Sequence, residues 1–481
     1  MHIYFVRLFL YILSIFLTGG ILYLAFFPGV VRKNNIFIGL GISWILGIFS
    51  FIIILYVLAF INALHYVTFA YFIPFFSAVV LIFVYMLYKR WREFVPMVTI
   101  KDGIALLVTC VFFYSLLQDA LFSYLIAWDG IAIWFLKAKS FFYNAGVWNN
   151  AFFENLFTYQ YVHKAYPIGF PLLIAAYYRL IGTVNDQVVQ FFLLFFYLNL
   201  FLISYGFLKT ALKTVSSIIL FFASLAIFIV PQFIIYSHNG YADMALSFIF
   251  ALSTILFIFF LQDKAERPAY MKLLFITSAS GAFIKNEGYT FFASMAFFTI
   301  LIFIRDHFRE KAQHKTIRMT RVISLLILGA LILFPLFLWQ YFKQTVPIEA
   351  NSYLEGAHLY ANSLSRLSMI IFHYLDEVTN VTKYGIFSIL VLFLFIFEHV
   401  VFIANGKIKQ LLPSLPFLVQ LFFYTVIYLV TTVLLEWQLR TSFERLWIHL
   451  FPSVIIVSAC YIIPTISLIE KTWHISLGRA K

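Results

Sequence analysis

Apolar runs of membrane-crossing length recur along this chain from end to end, and no other feature constrains its fold as tightly. A bilayer core about 30 Å thick, climbed at about 1.5 Å per residue, takes roughly 20 apolar residues to cross as a helix. By that measure spans are expected near 8–27, 36–61, 66–88, 102–126, 186–208, 214–236, 243–261, 321–342, 384–404, 414–435 and 446–468. Two shorter runs, about 271–284 and 288–304, flank the charged element Lys285-Asn286-Glu287-Gly288.

The composition leaves no room for a sizeable soluble domain. Of 481 residues, 63% are hydrophobic and 11% charged. The longest gap between apolar runs, about 343–383, holds loops and short helices only. The net charge of +13 does not point to nucleic acid, because basic residues beside spans report topology and contact with anionic lipid. Cys110 and Cys460 lie inside apolar runs, with neither disulfide nor zinc spacing. The first run is too long for a secretory signal and is read as a retained span.

Basic clusters set the topology. Arg32/Lys33, Lys89/Arg90/Arg92/Lys101, Lys209/Lys213, Lys264/Arg267/Lys272, Arg305 to Arg321, Lys407/Lys409 and Lys471 to Lys481 fall in alternate connections. Calling these cytoplasmic places most of the 33 Lys and Arg inside, as the positive-inside rule favours. Parity then decides two segments. One crossing fits between an outer 128–167 and Lys209, so Ile168 to Gly182 is expected as a helix in the outer interface rather than a span. Two crossings must fit between Lys272 and Arg305, so Lys285 to Gly288 becomes an outer turn. The expectation is an all-α polytopic membrane protein of about 13 spans, with an outer amino terminus and a cytoplasmic carboxyl terminus. Three spans within 1–101 precede a core at 102–470, with outer loops at 128–185 and 343–383, and a short tail follows at 471–481.

Polar residues crowd the outer side. Asp129, Lys137, Lys139, His163, Lys164, Tyr166, His238, Asp243, Lys285, Glu287, Arg440 and Arg445 all fall there. Asp129 follows a span and precedes Gly130, where the backbone can turn sharply. A carboxylate at the edge of low dielectric suits a general base, and it equally suits a helix-end anchor. Asp243 opens the next span and fits a helix cap as well as a catalytic role. Lys285 and Glu287 are expensive at a membrane boundary unless paired or wet, so they read either as a phosphate-binding pair or as a structural one. Arg440 and Arg445, in the last outer loop, suit a phosphate or serve as interface anchors. A divalent metal held by the acids and histidines stays open, because no spacing signature marks one.

Other chemistries lack their motifs. There is no Walker-type phosphate loop, no Gly-rich dinucleotide fingerprint and no Gly-x-Ser-x-Gly elbow, so no nucleotide cofactor is expected. Asn380-Val381-Thr382 forms a glycosylation sequon of a kind that arises often by chance.

Taken in order, these elements resemble the GT-C superfamily of membrane glycosyltransferases, particularly the protein O-mannosyltransferase and lipid A aminoarabinose transferase branch. Asp129 stands where that family places an acid after a span. His163-Lys164-Ala165-Tyr166-Pro167-Ile168-Gly169-Phe170-Pro171-Leu172 looks like a loosened Lys-Pro-Pro-Leu element. Tyr241-Ala242-Asp243-Met244-Ala245-Leu246 matches a second acid heading a later span, and Lys285 to Gly288 matches a charged element between spans. Thr441 to Leu446 is similar to a stretch in uncharacterised bacterial members. The resemblance covers roughly 102–460. The chain departs from it in having Gly after the first acid, a degraded Lys-Pro-Pro-Leu element and three extra leading spans. The resemblance implies transfer of a hexosyl or pentosyl group from a polyprenyl-phosphate sugar to a lipid, glycan or protein, on the outer face of a bacterial inner membrane. Asp129 and Asp243 would be catalytic. Lys137, His163, Lys164, Tyr166, His238, Lys285, Glu287, Arg440 and Arg445 would bind substrate. The competing readings are a transporter or lipid flippase, which should carry polar residues at mid-membrane and on both faces, and an O-antigen polymerase or ligase.

Overall fold

A computed structural model describes residues 2–94, 99–123, 127–154, 163–312, 319–346, 364–431 and 433–479. The central part of the expected loop at 343–383, part of the Arg305–Arg321 cluster and the last two tail residues lie outside them, as do the side chains of 470–481. The regular structure of the described residues is all helical, with no strand among them. The helices used below are α1 (His2–Phe26), α2 (Ile36–Phe60), α3 (Phe69–Phe94), α4 (Ile100–Phe122), α5 (Leu136–Asn144), α6 (Gly169–Ile181) and α7 (Asp186–Ala211). They continue with α8 (Ser217–Phe228), α9 (Pro231–His238), α10 (Asp243–Gln262), α11 (Arg267–Ile284) and α12 (Asn286–Ala312). The last five are α13 (Met319–Thr345), α14 (Leu364–Val378), α15 (Val381–Ala404), α16 (Leu415–Val430) and α17 (Leu435–Arg479).

Eleven of the described helices are long and apolar enough to cross a membrane, so the chain is an integral membrane protein. The pair α8 and α9 is apolar enough to count together as one further span, but it is bent by 73° where Pro231 opens the second segment. Proline at the first helical position needs no N–H partner, so the break leaves its nitrogen unpenalised. The run expected as one straight span at 214–236 is therefore two helices meeting at a bend. α11 is too polar to be counted, yet it runs the length of the bundle between α10 and α12. Local signals start these helices: Asn35 accepts from Phe37 N and Ile38 N at the head of α2, and Thr99 with Asp102 forms a capping box on α4.

The bundle has two chemically distinct ends. At the far end Lys33 pairs with Asp263 and Lys209 with Asp102, both at 2.5 Å, and Arg267 pairs with Asp306. At the near end Arg445 pairs with Asp129, Lys285 with Asp243, and His238 with Asp119. The connections at Lys33, Lys209 and Arg267, which charge parity assigned to one side, thus meet at the far end.

Helix α6, expected to lie in or dip into the outer interface, is enclosed by its neighbours. Gly169, at its start, sits against the Phe283 carbonyl, and the amide of Ile168 donates to the Tyr56 hydroxyl at 3.3 Å. At its other end Arg7 of α1 donates to the carbonyls of Leu180 and Ile181, at 3.1 and 3.2 Å. All of those partners belong to the near end, so α6 lies across it. With α5 packed on α6, every α6 residue except Arg179 is buried. α10 is the axial helix of the bundle, almost wholly buried, and it carries Asp243 at its near end.

Candidate functional site

The near end gathers six segments around two ion pairs. Asp129 leads into Gly130–Phe135, a wide helical turn that continues as α5. Gly130 is not a sharp turn, as its sequence position suggests, because Asp129 itself has helical angles of φ −62° and ψ −34° and Gly130 has no positive φ. Its glycine sits in close approach: a Cβ there would lie 3.1 Å from the Asn239 carbonyl oxygen and 3.2 Å from Gly240 Cα, tighter than an ordinary contact. The Asp129 turn therefore rests on the 239–240 turn, where Gly240 takes φ +93°.

Arg445 closes this layer. Its guanidinium donates to Asp129 Oδ2 and lies over the Tyr241 ring, 5.1 Å from the ring centre. Both partners of the ion pair keep some exposure, 16% for Arg445 and 20% for Asp129.

Beneath it lies a drier layer. Asp243 Oδ1 accepts from Lys285 Nζ at 2.9 Å and from His449 Nε2 at 2.8 Å. The Tyr424 hydroxyl lies 3.1 Å from His449 Nδ1. With Nε2 carrying the proton toward the carboxylate, Nδ1 is left to accept from Tyr424. Lys285 also pairs with Glu287 at 2.9 Å. Lys285 ends α11 in an extended conformation, and α12 starts at once behind it. The tight return depends on Gly288, where a Cβ would overlap the Gly281 carbonyl. The capping role open to Asp243 is not used, because its carboxylate makes no cap bond and faces Lys285 and His449.

The 163–166 loop flanks both layers. His163 takes a left-handed φ of 44° and stacks on Tyr166 at 4.9 Å, and Tyr166 stacks on Trp134 at 5.6 Å. Burial lowers the affinity of His163 for a proton, opposed by the charge of Asp129; Lys137, Lys285 and Arg445 reinforce the lowering. Lys164 is buried in the same loop.

Several of the outer-side polar residues singled out in the sequence are engaged with protein partners. Lys137 is fully buried, and its ammonium donates to the carbonyls of His163, Lys164 and Tyr166 at 3.3, 3.5 and 3.1 Å. It pins the loop. Burial, with the charge of Lys343 adding to it, pushes its pKa down to about 7. His238 pairs with Asp119 at 3.3 Å and with Ser237 Oγ at 2.9 Å, apart from the Asp243 layer. Lys139 pairs with Asp186 at 2.6 Å. The expected last outer loop is helical, forming the first turns of α17, and this puts Arg440 on the outward face, paired with Glu436 at 2.6 Å.

Two residues of the buried layer escape sequence reasoning. His449 sits in an apolar run and Tyr424 in another, so neither stands out. The available signal was spacing: His449 is four residues after Arg445, one turn along the same helical face. Glu444 was missed too. It accepts from Tyr236 at 2.9 Å and from Gln232, and pairs with Lys383 at 2.6 Å, tying α17 to α9 and α15 beside Arg445.

Three buried polar atoms of the site lack a hydrogen-bond partner: Asp243 Oδ2, Glu287 Oε2 and Arg445 Nε. Such atoms also occur elsewhere in the bundle, and here they leave hydrogen-bonding capacity next to the two ion pairs. Among the described residues no group of three or more His, Cys, Asp or Glu is arranged to hold a metal ion. In comparisons with family models, with curated proteins and with solved structures, the chain matches none.

Proposed function

We propose that the chain is a membrane glycosyltransferase that moves a sugar from a polyprenyl-phosphate donor to an acceptor hydroxyl at the outer face of a bacterial inner membrane. One observation carries the reading: the partly exposed Asp129–Arg445 pair sits over a buried Asp243–Lys285–His449 layer in which Asp243 Oδ2 has no protein partner. Sugar hydroxyls can donate to such carboxylate oxygens, and a phosphate can accept from the guanidinium.

In this mechanism the donor phosphate competes with Asp129 for Arg445. That frees the carboxylate to take the acceptor's proton. The acceptor oxygen forms a bond to the sugar's anomeric carbon as the bond from that carbon to the phosphate oxygen breaks, so a single displacement inverts the centre. The proton ends on Asp129 and the electron pair on the departing polyprenyl phosphate. Arg445 and Lys285 stabilise the charge that gathers there. Asp243 and His449 hold Lys285 in place, and His163, pinned through Lys137, borders the acceptor side.

The test is transfer in proteoliposomes supplied with radiolabelled polyprenyl-phosphate sugars and cell-envelope acceptors. Asp129→Asn should abolish transfer while leaving expression and thermal unfolding intact. Near-normal transfer by that variant would sink the assignment of the base.

A further inference from the structure

Glu398 lies within α15, six residues or about 9 Å of helix before its far end at Ala404. At 24 residues α15 is about 36 Å long, so this position falls inside a bilayer core about 30 Å thick. The side chain does not face lipid. Glu398 is 1% exposed and packs where α15 meets α17. Tyr461 of α17 sets its ring edge-on to His399 and Phe402 of α15, at 5.7 and 5.1 Å. One turn earlier on α17, the Ser458 hydroxyl lies beside the Glu398 carboxyl without closing a hydrogen bond to it.

Among the described residues neither oxygen of Glu398 has a hydrogen-bond or ion-pair partner. The packed neighbours supply no positive charge to it. His399 turns both ring nitrogens elsewhere, Nδ1 to the Phe395 carbonyl at 2.7 Å and Nε2 to Ser414 Oγ at 2.9 Å. On α17 the titratable side chains beside the carboxyl are Cys460 and Tyr461. Helix α8 carries none. Those of α9 and α14 belong to the near end, where His238 pairs with Asp119, Tyr236 binds Glu444 and Glu377 pairs with Lys383. The far-end turn Ile408–Ser414 brings only Lys409, which is exposed. An ionised carboxylate left alone in so apolar a setting costs far more than taking up a proton.

We propose that Glu398 is a proton-binding site inside the membrane: its carboxyl carries a proton in the folded protein at neutral pH, with Ser458 as the neighbour it can hydrogen-bond. A neutral acid needs no counter-ion, so α15 and α17 can close over it. Ionisable residues at such depth are functional by default. The same neutral acid is open to a hydrophobic carbodiimide. Its oxygen bonds to the reagent's central carbon and its proton passes to a reagent nitrogen, so the adduct has the mass of both. The site lies away from the near-end ion pairs and is independent of any reading of them.

Dicyclohexylcarbodiimide tests this on the full chain in sodium-free proteoliposomes at neutral pH, with the adduct located by peptide mass spectrometry. The wild type should take up one reagent molecule at Glu398, whereas Asp243 and Glu287, both paired with Lys285, should take up none. Glu398→Gln should lose the adduct and unfold close to the wild-type temperature, because a neutral amide replaces a neutral acid. An unlabelled Glu398 in the wild type would overturn the proposal. So would protection of Glu398 by added sodium, which would put a metal ion in the proton's place. A large loss of thermal stability in Glu398→Gln would overturn it too, because the group removed would then have been a charge bound to a partner.

Discussion

Arg445 and Asp129 stand 316 positions apart in the chain and form one ion pair at the near end of the bundle. One turn further along α17, His449 binds Asp243, so a single helical face grips carboxylates from two separate segments. A rotation of α17 would release both together.

Replacing the arginine should separate charge from geometry. On the proposed mechanism, Arg445→Gln is expected to reduce transfer by about 100- to 1,000-fold, the usual cost of removing one group that stabilises developing charge. Arg445→Lys should recover only part of that, because an ammonium lacks the planar fork that holds a phosphate at two points. Initial rates in proteoliposomes decide the matter, and equal rates for Lys and Arg at this position would remove the phosphate role.

The buried pair predicts a stability effect that needs no activity. Lys285→Met leaves Asp243 without its ammonium, and breaking such a pair costs about 3–5 kcal/mol. Adding Asp243→Asn should return a substantial part of the loss, because the stranded charge is gone. Thermal unfolding of the two single variants and the double variant gives the coupling, and strictly additive losses would show that the pair does not act as a unit.

His449 should be replaceable by a donor but not by a hydrocarbon. Its Nε2 donates to Asp243, a bond to a charged group worth about 1.5–3 kcal/mol. His449→Gln is therefore expected to unfold closer to wild type than His449→Phe. The reverse order in thermal unfolding would argue that ring packing, not the hydrogen bond, is what matters there.

Lys137 predicts a dependence on pH. Its folded pKa of about 7 lies below the value of about 10.4 for a free lysine. The unfolded chain binds more protons across that window, so stability rises with pH between these limits, and the penalty of charging the buried amine is full below about 7. Lys137→Met removes this contribution. Unfolding midpoints from pH 6 to 10 should rise less steeply for the variant, and parallel profiles would show that the group does not titrate in the folded protein.

Sidedness has its own measurement. Tyr143 at the near end and Lys409 at the far end are both exposed. In a Cys110→Ser background, Tyr143→Cys should react with an impermeant maleimide in intact cells and Lys409→Cys should not. The opposite pattern would turn the near end toward the cytoplasm and with it the proposed reaction.

The chain's own sequence was enough to determine the all-helical class, most of the long apolar helices and the shared end of three basic connections. Hydropathy and charge act locally and add along the chain, so Arg32, Lys209 and Arg267 reveal a shared end without any knowledge of packing. The partners were decided only in three dimensions. Lys137 and Arg445 read alike as basic residues at the near end, yet one is enclosed by three carbonyls and the other meets Asp129. Lys285 and Glu287 were legible because charge at a membrane boundary stands out, whereas His449 and Tyr424 were hidden in apolar runs. Which face of a helix meets which neighbour depends on its rotation in the bundle, set by contacts such as Gly130 on Gly240 and Gly288 on Gly281. Those contacts join residues far apart in the chain, so no local pattern announces them.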